Sequence, residues 1–284
     1  MAESSSIDPG LHLVAVPIGT ARDITLRALD ILRGADVLAA EDTRSLRRLM
    51  DIHGVPVGGR PLLAYHDQNG PRMRPRLLQA LRDGKSVAYA SEAGTPLIAD
   101  PGYQLGAAAH AEGVPVRAAP GASALLVALC VSGLPTDRFF FAGFLPPKSA
   151  ARRTALEGLA QIPGTLVLYE SPKRVAKMLA DASDILGQRD AALCRELTKK
   201  FEEVWRGPLP DLADRAAKSD IRGEIVVLIE KRAEVEMSDE AVRAMLIAEM
   251  QITSLKLAVK SVTTQTRLPR KKVYDLALAL KDAP

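Results

Sequence analysis

The segment LHLVAVPIGTARDITLRALDILRGADVLAAEDTR, residues 11–44, decides the fold class of this chain. A β-rich run at 11–17 is followed by a helical period that Asp23 can cap and Gly34 can end, and then by a second β-rich run at 35–40. Strand, helix and strand in alternation are typical of an α/β layer with a largely parallel sheet. We therefore predict an α/β fold.

The same alternation continues through the first part of the chain. Further β-rich runs follow at 62–65, 86–90 and 114–119. Asn69 can open a helix that runs to Gly84, where glycine can end it. The sequence thus predicts a first α/β domain at 11–120.

A second set of elements begins with PGASALLVALCVSGLP, residues 120–135, whose apolar run has the length of a helix. Its β-rich runs are 138–144, 165–170, 191–197, 201–207 and 224–230, and helices are expected between them, from about Ser149 to Ala160 and after Pro172. Because the runs before and after residues 198–200 are so close in sequence, we expect them to pair antiparallel in a mixed sheet. We predict a second α/β domain at 121–233.

The β pattern stops after Lys231, and the remaining segment is predicted to be helical. Ser238 is placed to cap one helix, Ser254 opens another, and Pro269 stands at the first position of a third. Two short helices joined by a tight turn, with basic residues at the start of the second, resemble a helix-turn-helix. We predict a third unit at 238–284, a helical basic extension.

The positive charge of the chain is concentrated in this extension. The whole sequence has 38 Lys and Arg against 34 Asp and Glu, which gives a net charge of +4. After residue 250 there are seven basic residues and only two acidic ones. The basic residues are Lys256, Lys260, Arg267, Arg270, Lys271, Lys272 and Lys281, and the acidic residues are Asp275 and Asp282. Such localisation is typical of a nucleic-acid contact on an otherwise neutral enzyme, and a solvated helical face is the alternative.

The composition is that of a globular protein from a reducing compartment. The chain has 284 residues, 47% of them hydrophobic and 25% charged. Two cysteines, Cys130 and Cys194, cannot form a disulfide framework, and we expect Cys130 in the core of a helix. No apolar run approaches the roughly 18 residues that span a bilayer, and the acidic, polar start of the chain does not resemble an export signal. We expect a cytoplasmic protein.

Four turns that follow predicted strands are rich in Gly, Pro and small polar residues. They are PIGT at 17–20, EDTR at 41–44, SEAGTP at 91–96 and PGASA at 120–124. Open α/β sheets bind ligands outside the carboxyl ends of their strands, so we expect these turns to gather around a small molecule. Each turn alone is equally consistent with an ordinary tight connection. The sequence has neither a G-x-G-x-x-G nor a G-x-x-x-x-G-K-[ST] motif, which argues against a Rossmann dinucleotide site or a P-loop.

A series of motifs extends over residues 11–231. In order, they are PIGT, AEDTR, SEAGTPLIADPGY, PGASA, LPTDRFFFAGFLPPK, YESPKR, CRELTKKFEE and GEIVVLIE. In this order and spacing they resemble the ribosomal RNA small-subunit methyltransferase I family, a branch of the tetrapyrrole methylase fold. The resemblance implies S-adenosylmethionine (S-adenosyl-L-methionine) bound in a cleft between two α/β domains, and a homodimer. It also implies methyl transfer to the ribose 2′-hydroxyl of a decoding-centre cytidine in 16S rRNA. The basic extension is similar to a helix-turn-helix carried by some members.

The resemblance also implies which residues bind the cofactor. Carried onto the matching positions, they are Pro17, Gly19, Ser91, Glu92, Ala93, Gly94, Ser123, Ala124, Glu170, Leu197, Gly223 and Glu224. Three positions depart from the family pattern: Thr20 stands where Asn is usual, Glu92 where Asp is usual, and Ala122 where Pro is common. Glu92 keeps the negative charge of the aspartate but adds a methylene.

Removal of the proton from a ribose hydroxyl requires a base or a nearby cation. The candidates for this catalytic role are Lys148, Glu196, Lys199 and Asp42. Each has a structural alternative. Lys148 is also suited to binding phosphate only, Glu196 to an ion pair with Arg195 or Lys199, and Asp42 to capping the helix that follows it.

Basic residues outside the cofactor turns are candidates for RNA contacts. They are Arg44, Lys148, Arg152, Arg153, Arg270, Lys271 and Lys272. Because only 4% of residues are aromatic, we expect recognition of RNA shape and phosphates rather than stacked bases. The four histidines are scattered without ligand spacing, so no metal site is predicted.

Two other functions are also consistent with the sequence. The first is a methyltransferase of the same fold that acts on a tetrapyrrole or another small acceptor, which the basic extension disfavours. The second is a non-catalytic RNA-binding protein of the ribosome, which would not need the Gly- and Pro-rich turns.

Overall fold

The computed structural model describes residues 7–98, 102–232, 237–266 and 268–281. Two compact units are present, Met1–Arg232 and Ala233–Pro284, and each is described by itself. Residues 99–101 of the third motif, and Arg267 and Asp282 of the basic extension, lie outside the described residues.

The first sheet has five parallel strands in the order β3-β2-β4-β1-β5. The strands are β1 Gly10–Val14, β2 Val37–Ala40, β3 Leu62–Ala64, β4 Ser86–Ala90 and β5 Val116–Ala119. The helices between them are α1 Leu26–Gly34, α2 Thr43–Ile52, α3 Gly70–Arg82 and α4 Tyr103–Ala111. Apolar residues of β2 and β4 are buried along their whole length because helices cover both faces of the sheet. The predicted parallel α/β layer is confirmed.

Two boundaries of this layer differ from the sequence prediction. Helix α1 is capped by Thr25, whose hydroxyl accepts a hydrogen bond from the Ala28 N–H at 3.1 Å. Asp23 instead ends a short 3₁₀ turn and caps nothing, so the prediction for Asp23 was wrong. Strand β1 ends at Val14, short of the predicted Pro17, because Val16 pairs with Gly94 in an isolated antiparallel bridge.

The second sheet is mixed and has the order β6-β7-β10-β8-β9. Its strands are β6 Phe139–Phe144, β7 Thr165–Glu170, β8 Asp190–Arg195, β9 Glu203–Pro208 and β10 Ile225–Ile229. Only β6 and β7 are parallel; β10 runs antiparallel to β7 and β8, and β8 pairs antiparallel with β9 as predicted. The helices are α5 Ala124–Ser132, α6 Ser149–Leu159, α7 Pro172–Leu186 and α8 Leu209–Ala217.

The two faces of the second sheet are buried differently. Leu166 and Leu168 face the α6, α7 and α8 side of the sheet. On the other face, Val167 and Val226 pack with Leu125 and Leu129 of α5, and Ile18 from the turn after β1 joins the same cluster. Apolar contacts therefore extend from the second sheet to the first turn of the chain. The division of residues 11–233 at position 120 stays a prediction, since residues 7–232 pack as one unit.

The two cysteines have different surroundings. Cys130 on α5 is exposed, so its expected place in the helix core was wrong. Cys194 on β8 is fully buried, and burial raises the pKa of its thiol to about 12. Its thiolate is therefore scarce at neutral pH, and Cys194 is a poor nucleophile.

The described residues of the second compact unit form three helices with a small core of their own. Its helices are α9 Asp239–Ile252, α10 Leu255–Thr266 and α11 Arg270–Lys281. Ser238 caps α9 as predicted, since its hydroxyl accepts a hydrogen bond from the Ala241 N–H at 3.2 Å. Leu246, Val259 and Val273 are buried together between the helices. Within the described ranges, no helix combines the length and apolar character that crossing a membrane requires.

Candidate active site

One cavity of about 680 Å³ lies where strands of both sheets end. This volume is in the usual range for sites that hold a cofactor or small ligand. The wall contains Pro17, Ile18, Gly19, Glu41, Ser45, Glu92, Ala93, Gly94, Thr95, Ile98, Ser123, Ala124, Phe144, Tyr169, Glu170, Ser171, Pro172, Cys194, Leu197, Lys199, Gly223, Glu224, Ile225 and Val226. All four turns that the sequence singled out contribute to it, so the expected gathering of these turns is what the structure shows.

The turn after β4 is held against the turn after β1. The Val16 N–H donates to the Gly94 carbonyl at 2.9 Å, and the Gly94 N–H donates to the Val16 carbonyl at 3.0 Å. The Ser91 hydroxyl donates to the Gly94 carbonyl at 2.9 Å. Gly94 has a φ of +75°, and a Cβ there would lie 3.2 Å from Ile18 Cγ2, so this position needs glycine.

The turn after β1 also touches the turn after β8. The Thr20 N–H donates to Thr198 Oγ1 at 3.3 Å, and the Thr20 hydroxyl donates to the Thr198 carbonyl. A Cβ on Gly19 would lie 2.7 Å from Thr198 Oγ1, so only glycine permits this approach. Thr20, the departure from the family pattern, thus joins the two walls of the cavity.

Lys199 is held between two carboxylates at the cavity wall. Its Nζ lies 3.0 Å from Glu196 Oε1 and 3.2 Å from Glu224 Oε2. The Glu224 N–H also donates to Glu196 Oε1 at 3.0 Å. The backbone is left-handed at Glu196, with a φ of +51°, and at Thr198, with a φ of +64°, conformations that are costly for residues with a Cβ. Backbone strain is therefore stored next to Lys199.

The partners of this cluster fix its charges. The hydrogen bond from the Glu224 N–H and the Lys199 ammonium outweigh burial and hold the pKa of Glu196 below its ordinary value. Burial opposes the ammonium of Lys199, but its hydrogen bonds to Glu196 and Glu224 outweigh burial and raise its pKa. Lys199 is therefore a cation at neutral pH and a hydrogen-bond donor. It cannot serve as a base in that state.

Carboxylates dominate the rest of the cavity wall. The lining residues that the structure describes include four glutamates, Glu41, Glu92, Glu170 and Glu224, and one cation, Lys199. The carboxylate of Glu170 is buried and paired with Arg174 at 3.1 Å, and it accepts the Ser171 N–H at 2.7 Å. Such a wall favours a ligand that carries positive charge.

Comparison with known proteins identifies the family. A family model described as Tetrapyrrole (Corrin/Porphyrin) Methylases matches residues 10–213. A protein of Mesorhizobium japonicum named Ribosomal RNA small subunit methyltransferase I is 45% identical over 97% of this chain and 94% of its own length. One of the same name from Micromonospora olivasterospora is 43% identical over 93% of this chain and 85% of its own length. The chain belongs to the ribosomal RNA small subunit methyltransferase I family.

A solved structure supports the fold. Uroporphyrin-III C-methyl transferase from Thermus thermophilus, complexed with S-adenyl homocysteine, is 21% identical. It covers 78% of this chain and 97% of its own chain, with a TM-score of 0.54. The tetrapyrrole methylase fold and the family, both predicted from the ordered motifs, are confirmed.

Of the twelve residues that the family pattern assigns to the cofactor, the structure brings eleven to the cavity wall. The exception is Ser91, which is buried and whose hydroxyl is used within its own turn. Ser123 stands before the first residue of α5 and its hydroxyl makes no capping hydrogen bond, so that hydroxyl is available to a ligand. Ala122, another departure, accepts a hydrogen bond from the Thr95 hydroxyl at 2.9 Å through its carbonyl, which any residue supplies.

The four catalytic candidates are not all in one place. Lys199 lines the cavity, and Glu196 contacts Lys199. Asp42 lies in a neighbouring cavity, where it caps α2 through the Arg44 N–H at 2.7 Å and pairs with the Arg44 guanidinium at 3.1 Å. These two hydrogen bonds from Arg44 lower the pKa of Asp42. The structural alternative for Asp42, a helix cap, is what the structure shows.

Lys148 is exposed and stands outside the lining of the cavity, at the residue that precedes α6. Two arginines hold its loop. Arg174 donates to the Leu145 carbonyl at 2.5 Å, and Arg152 donates to the Pro147 carbonyl at 3.1 Å. Since Arg174 also pairs with Glu170, this loop is connected to the cavity wall.

Arg152 and Arg153 have different roles despite being neighbours. The side chain of Arg152 is only 4% exposed and pairs with Asp181 at 2.6 Å. The structure does not support Arg152 as an RNA contact, because its charge is buried and neutralised. Arg153 is partly exposed and pairs with Asp181 at 3.1 Å and Asp184 at 2.8 Å. Burial opposes the charge of Asp181, but hydrogen bonds from both arginines outweigh it and lower its pKa.

The remaining RNA candidates are at the surface of their units. Arg44 on α2 is 91% exposed. Arg270 and Lys271, at the start of α11, are exposed, whereas Lys272 pairs with Asp239 at 3.1 Å. Arg270 and Lys271 therefore offer more available charge to a polyanion than Lys272 does.

Sequence reasoning missed Glu41. It lines the same cavity as the predicted cofactor residues, whereas its neighbour Asp42 does not. Strand β2 is buried on both faces, so its pattern has no alternation that would tell which of the two side chains points into the site. Because both are carboxylates directly after the strand, no other sequence signal separates them.

Proposed function

We propose that this chain transfers a methyl group from S-adenosylmethionine to the ribose 2′-hydroxyl of a decoding-centre cytidine in 16S rRNA. We further propose that it acts in the cytoplasm, on the small ribosomal subunit, as a homodimer. The observation that carries this proposal is the cavity shared by turns of both sheets, with the Lys199 ammonium fixed at its wall. The names of the relatives support an rRNA substrate.

The residues at the cavity fit S-adenosylmethionine, which supplies an electrophilic methyl group on a positively charged sulfur when bound. Glu92 and Glu224 line the cavity and match the positive charge of such a ligand. At the start of α5, the Ser123 hydroxyl and the first backbone N–H groups suit a carboxylate. Because Gly19 and Gly94 have no Cβ, the walls of the cavity lie close together, on either side of a ligand bound between them.

Lys199 is the residue best placed to assist the acceptor hydroxyl. As a fixed cation it stabilises negative charge that develops on the oxygen as the proton leaves. Glu196 and Glu224 hold the ammonium in one position, so little reorganisation is needed when charge develops. The proton then needs a separate acceptor, because Lys199 is already protonated.

The basic residues supply RNA affinity. Lys148 on the first unit and Arg270 and Lys271 on the second are exposed, whereas Arg44 and Arg153 share their charge with neighbouring aspartates. Basic side chains of this kind bind phosphates and position the RNA without reading its bases. Specificity then comes from RNA shape and the assembled ribosomal context.

The test is incubation of the protein with methyl-labelled S-adenosylmethionine and small ribosomal subunits, followed by mapping of the labelled nucleotide. We expect label on one cytidine ribose and saturable cofactor binding by calorimetry. Label on a base, or only on a small acceptor such as a tetrapyrrole, would overturn the assignment. Cofactor binding without turnover on any RNA would indicate a non-catalytic RNA-binding protein.

A further inference from the structure

A second cavity of about 560 Å³ opens beside the first. Its wall consists of Glu41, Asp42, Thr43, Arg44, Ala64, His66, Asp67, Gln68 and Glu92, residues at and after the ends of β2, β3 and β4. Glu41 and Glu92 belong to the walls of both cavities. The two spaces are therefore neighbours along the edge of the first sheet.

A third, smaller cavity of about 390 Å³ continues the series. It is lined by Thr43, Arg44, Arg47, Arg48, Asp51 and Leu62, and it shares Thr43 and Arg44 with the second cavity. The three cavities thus form a row. The character of their walls changes along it, from carboxylates with Lys199, through mixed polar groups, to three arginines of α2.

Methyl transfer restricts where the acceptor can bind. The attacking oxygen must approach the methyl group in line, so its binding place must open onto the cavity that holds the methyl donor. Among the described cavities, only the second shares wall residues with the first. Its far side leads to the arginines, whose geometry suits phosphates.

We infer that the second cavity receives the acceptor nucleotide, turned out of the RNA, and that Glu41 accepts the proton of the attacking hydroxyl. This inference rests on the proposed function and adds the location of the acceptor and the identity of the base. Turning the nucleotide out of its stack lets a cavity enclose its ribose, as enzymes that act on bases enclose a flipped base. Arg44, Arg47 and Arg48 then hold the flanking phosphates.

Glu41 is favoured over Asp42, Glu196 and Glu170 because of what each of those three carboxylates already binds. Asp42 caps α2 and pairs with Arg44, and Glu196 holds Lys199 and the Glu224 N–H. Glu170 is buried against Arg174. Glu41 accepts one hydrogen bond, from the Glu92 N–H at 3.3 Å through Oε2, which leaves Oε1 for the substrate.

The hydroxyl oxygen forms a bond to the methyl carbon, and the sulfur–methyl bond breaks with its electron pair on sulfur, which becomes neutral. The hydroxyl proton moves to the Glu41 carboxylate and is then released to water. No oxidant or reductant is needed.

The first experiment blocks the second cavity. Gln68 is an exposed turn residue in its wall, so Gln68→Trp fills the space without disturbing the core. The matched control is Gln188→Trp at an exposed turn of the same unit that lines none of the three cavities. We expect the Gln68 variant to lose at least about tenfold in kcat/KM for small ribosomal subunits, with cofactor affinity and thermal stability like the control. Equal kcat/KM for the two variants would overturn the assignment of the cavity.

The second experiment separates Glu41 from Glu92, the other carboxylate shared by both cavities. We expect Glu41→Gln to lower kcat on the order of 100-fold with cofactor affinity kept, because an amide is a poor proton acceptor. Glu92→Gln is expected mainly to weaken cofactor binding. A Glu41→Gln variant with wild-type kcat, or a kcat loss confined to Glu92→Gln, would refute the role of Glu41. Wild-type protein that methylates no RNA would refute the proposed function instead, so the two failures are distinguishable.

Discussion

Thr20 and Thr198 are joined by two hydrogen bonds that connect the turn after β1 to the turn after β8. The Thr20 N–H donates to Thr198 Oγ1, and the Thr20 hydroxyl donates to the Thr198 carbonyl. Thr198 is also held from the other side, because its N–H donates to the Glu202 carboxylate at 2.6 Å. The position of Lys199, the next residue, therefore depends on a contact between the two sheets.

Replacing Thr20 by Val should loosen this connection. The variant keeps the branched shape but removes the hydroxyl donor, so we expect about 1 kcal/mol lower free energy of unfolding and several-fold lower kcat. Urea unfolding and steady-state kinetics measure the two effects. Thr20→Ser, which retains the donor, is the control and should behave like wild type. If the Val variant keeps full kcat, the contact does not position Lys199.

Lys199→Ala should impair catalysis more than cofactor binding. Loss of one fixed charge that stabilises a developing oxyanion costs on the order of 100-fold in kcat, and Lys199→Arg should restore part of it. Single-turnover rates with small subunits, together with calorimetry of cofactor binding, separate the effects. A variant that loses only cofactor affinity would assign Lys199 to the cofactor site.

Arg152 and Arg153 form a matched pair for stability. Arg152→Ala leaves the Asp181 carboxylate with only Ser149 and the partly exposed Arg153 as partners, and we expect a loss of about 3 kcal/mol in the free energy of unfolding. Arg153→Ala should have a small effect because its pairs are partly solvated. Chemical denaturation of both variants tests this. Equal effects would contradict the different burial of the two side chains.

Replacing Arg270 and Lys271 together by Ala should weaken RNA binding and reduce its salt dependence. Each lost phosphate contact lowers the slope of log affinity against log salt by about 1. Lys272→Ala should change the slope less, because Lys272 already pairs with Asp239. Filter binding at several salt concentrations gives the slopes. Unchanged slopes in the double variant would exclude the start of α11 from the RNA contact.

Acid sensitivity should depend in part on Asp36. The hydroxyl and N–H of Ser86 donate to its carboxylate at 2.6 and 2.8 Å and lower its pKa. A carboxylate whose folded-state pKa is depressed contributes stability above its unfolded pKa and loses it as the pH falls through the folded pKa. Wild type should therefore exceed Asp36→Asn in stability at neutral pH, and the difference should shrink in acid. Denaturation at a series of pH values checks this; a difference that grows in acid would contradict it.

Local patterns predicted most elements of the fold. The strands at 86–90 and 165–170 were placed correctly, because apolar β-rich runs bounded by turns are local signals. The strand order was not predictable from local patterns, because β1 pairs with β4 and β5, which are both far from it in the sequence. The early end of β1 has the same cause, because Gly94 pairs with Val16 from nearly eighty residues away.

The site was predictable where turns follow strands and less so where burial decides the role of a side chain. Eleven of twelve cofactor candidates line the cavity because the ordered motifs fix their positions. Arg152 appeared as available as Arg153 in the sequence, and only the packing of α6 on α7 buries it against Asp181. Glu41 and Asp42 were likewise indistinguishable until the structure placed them in different cavities.

The left-handed residues Glu196 and Thr198 also bear on protein engineering. Asparagine or glycine at either position would relieve unfavourable backbone torsion, but it would also remove the carboxylate that holds Lys199 or the hydroxyl that accepts the Thr20 N–H. These two effects on stability oppose each other, whereas turnover should fall in either variant because Lys199 loses support. A screen that measures both melting temperature and turnover would separate these effects at residues 196 and 198.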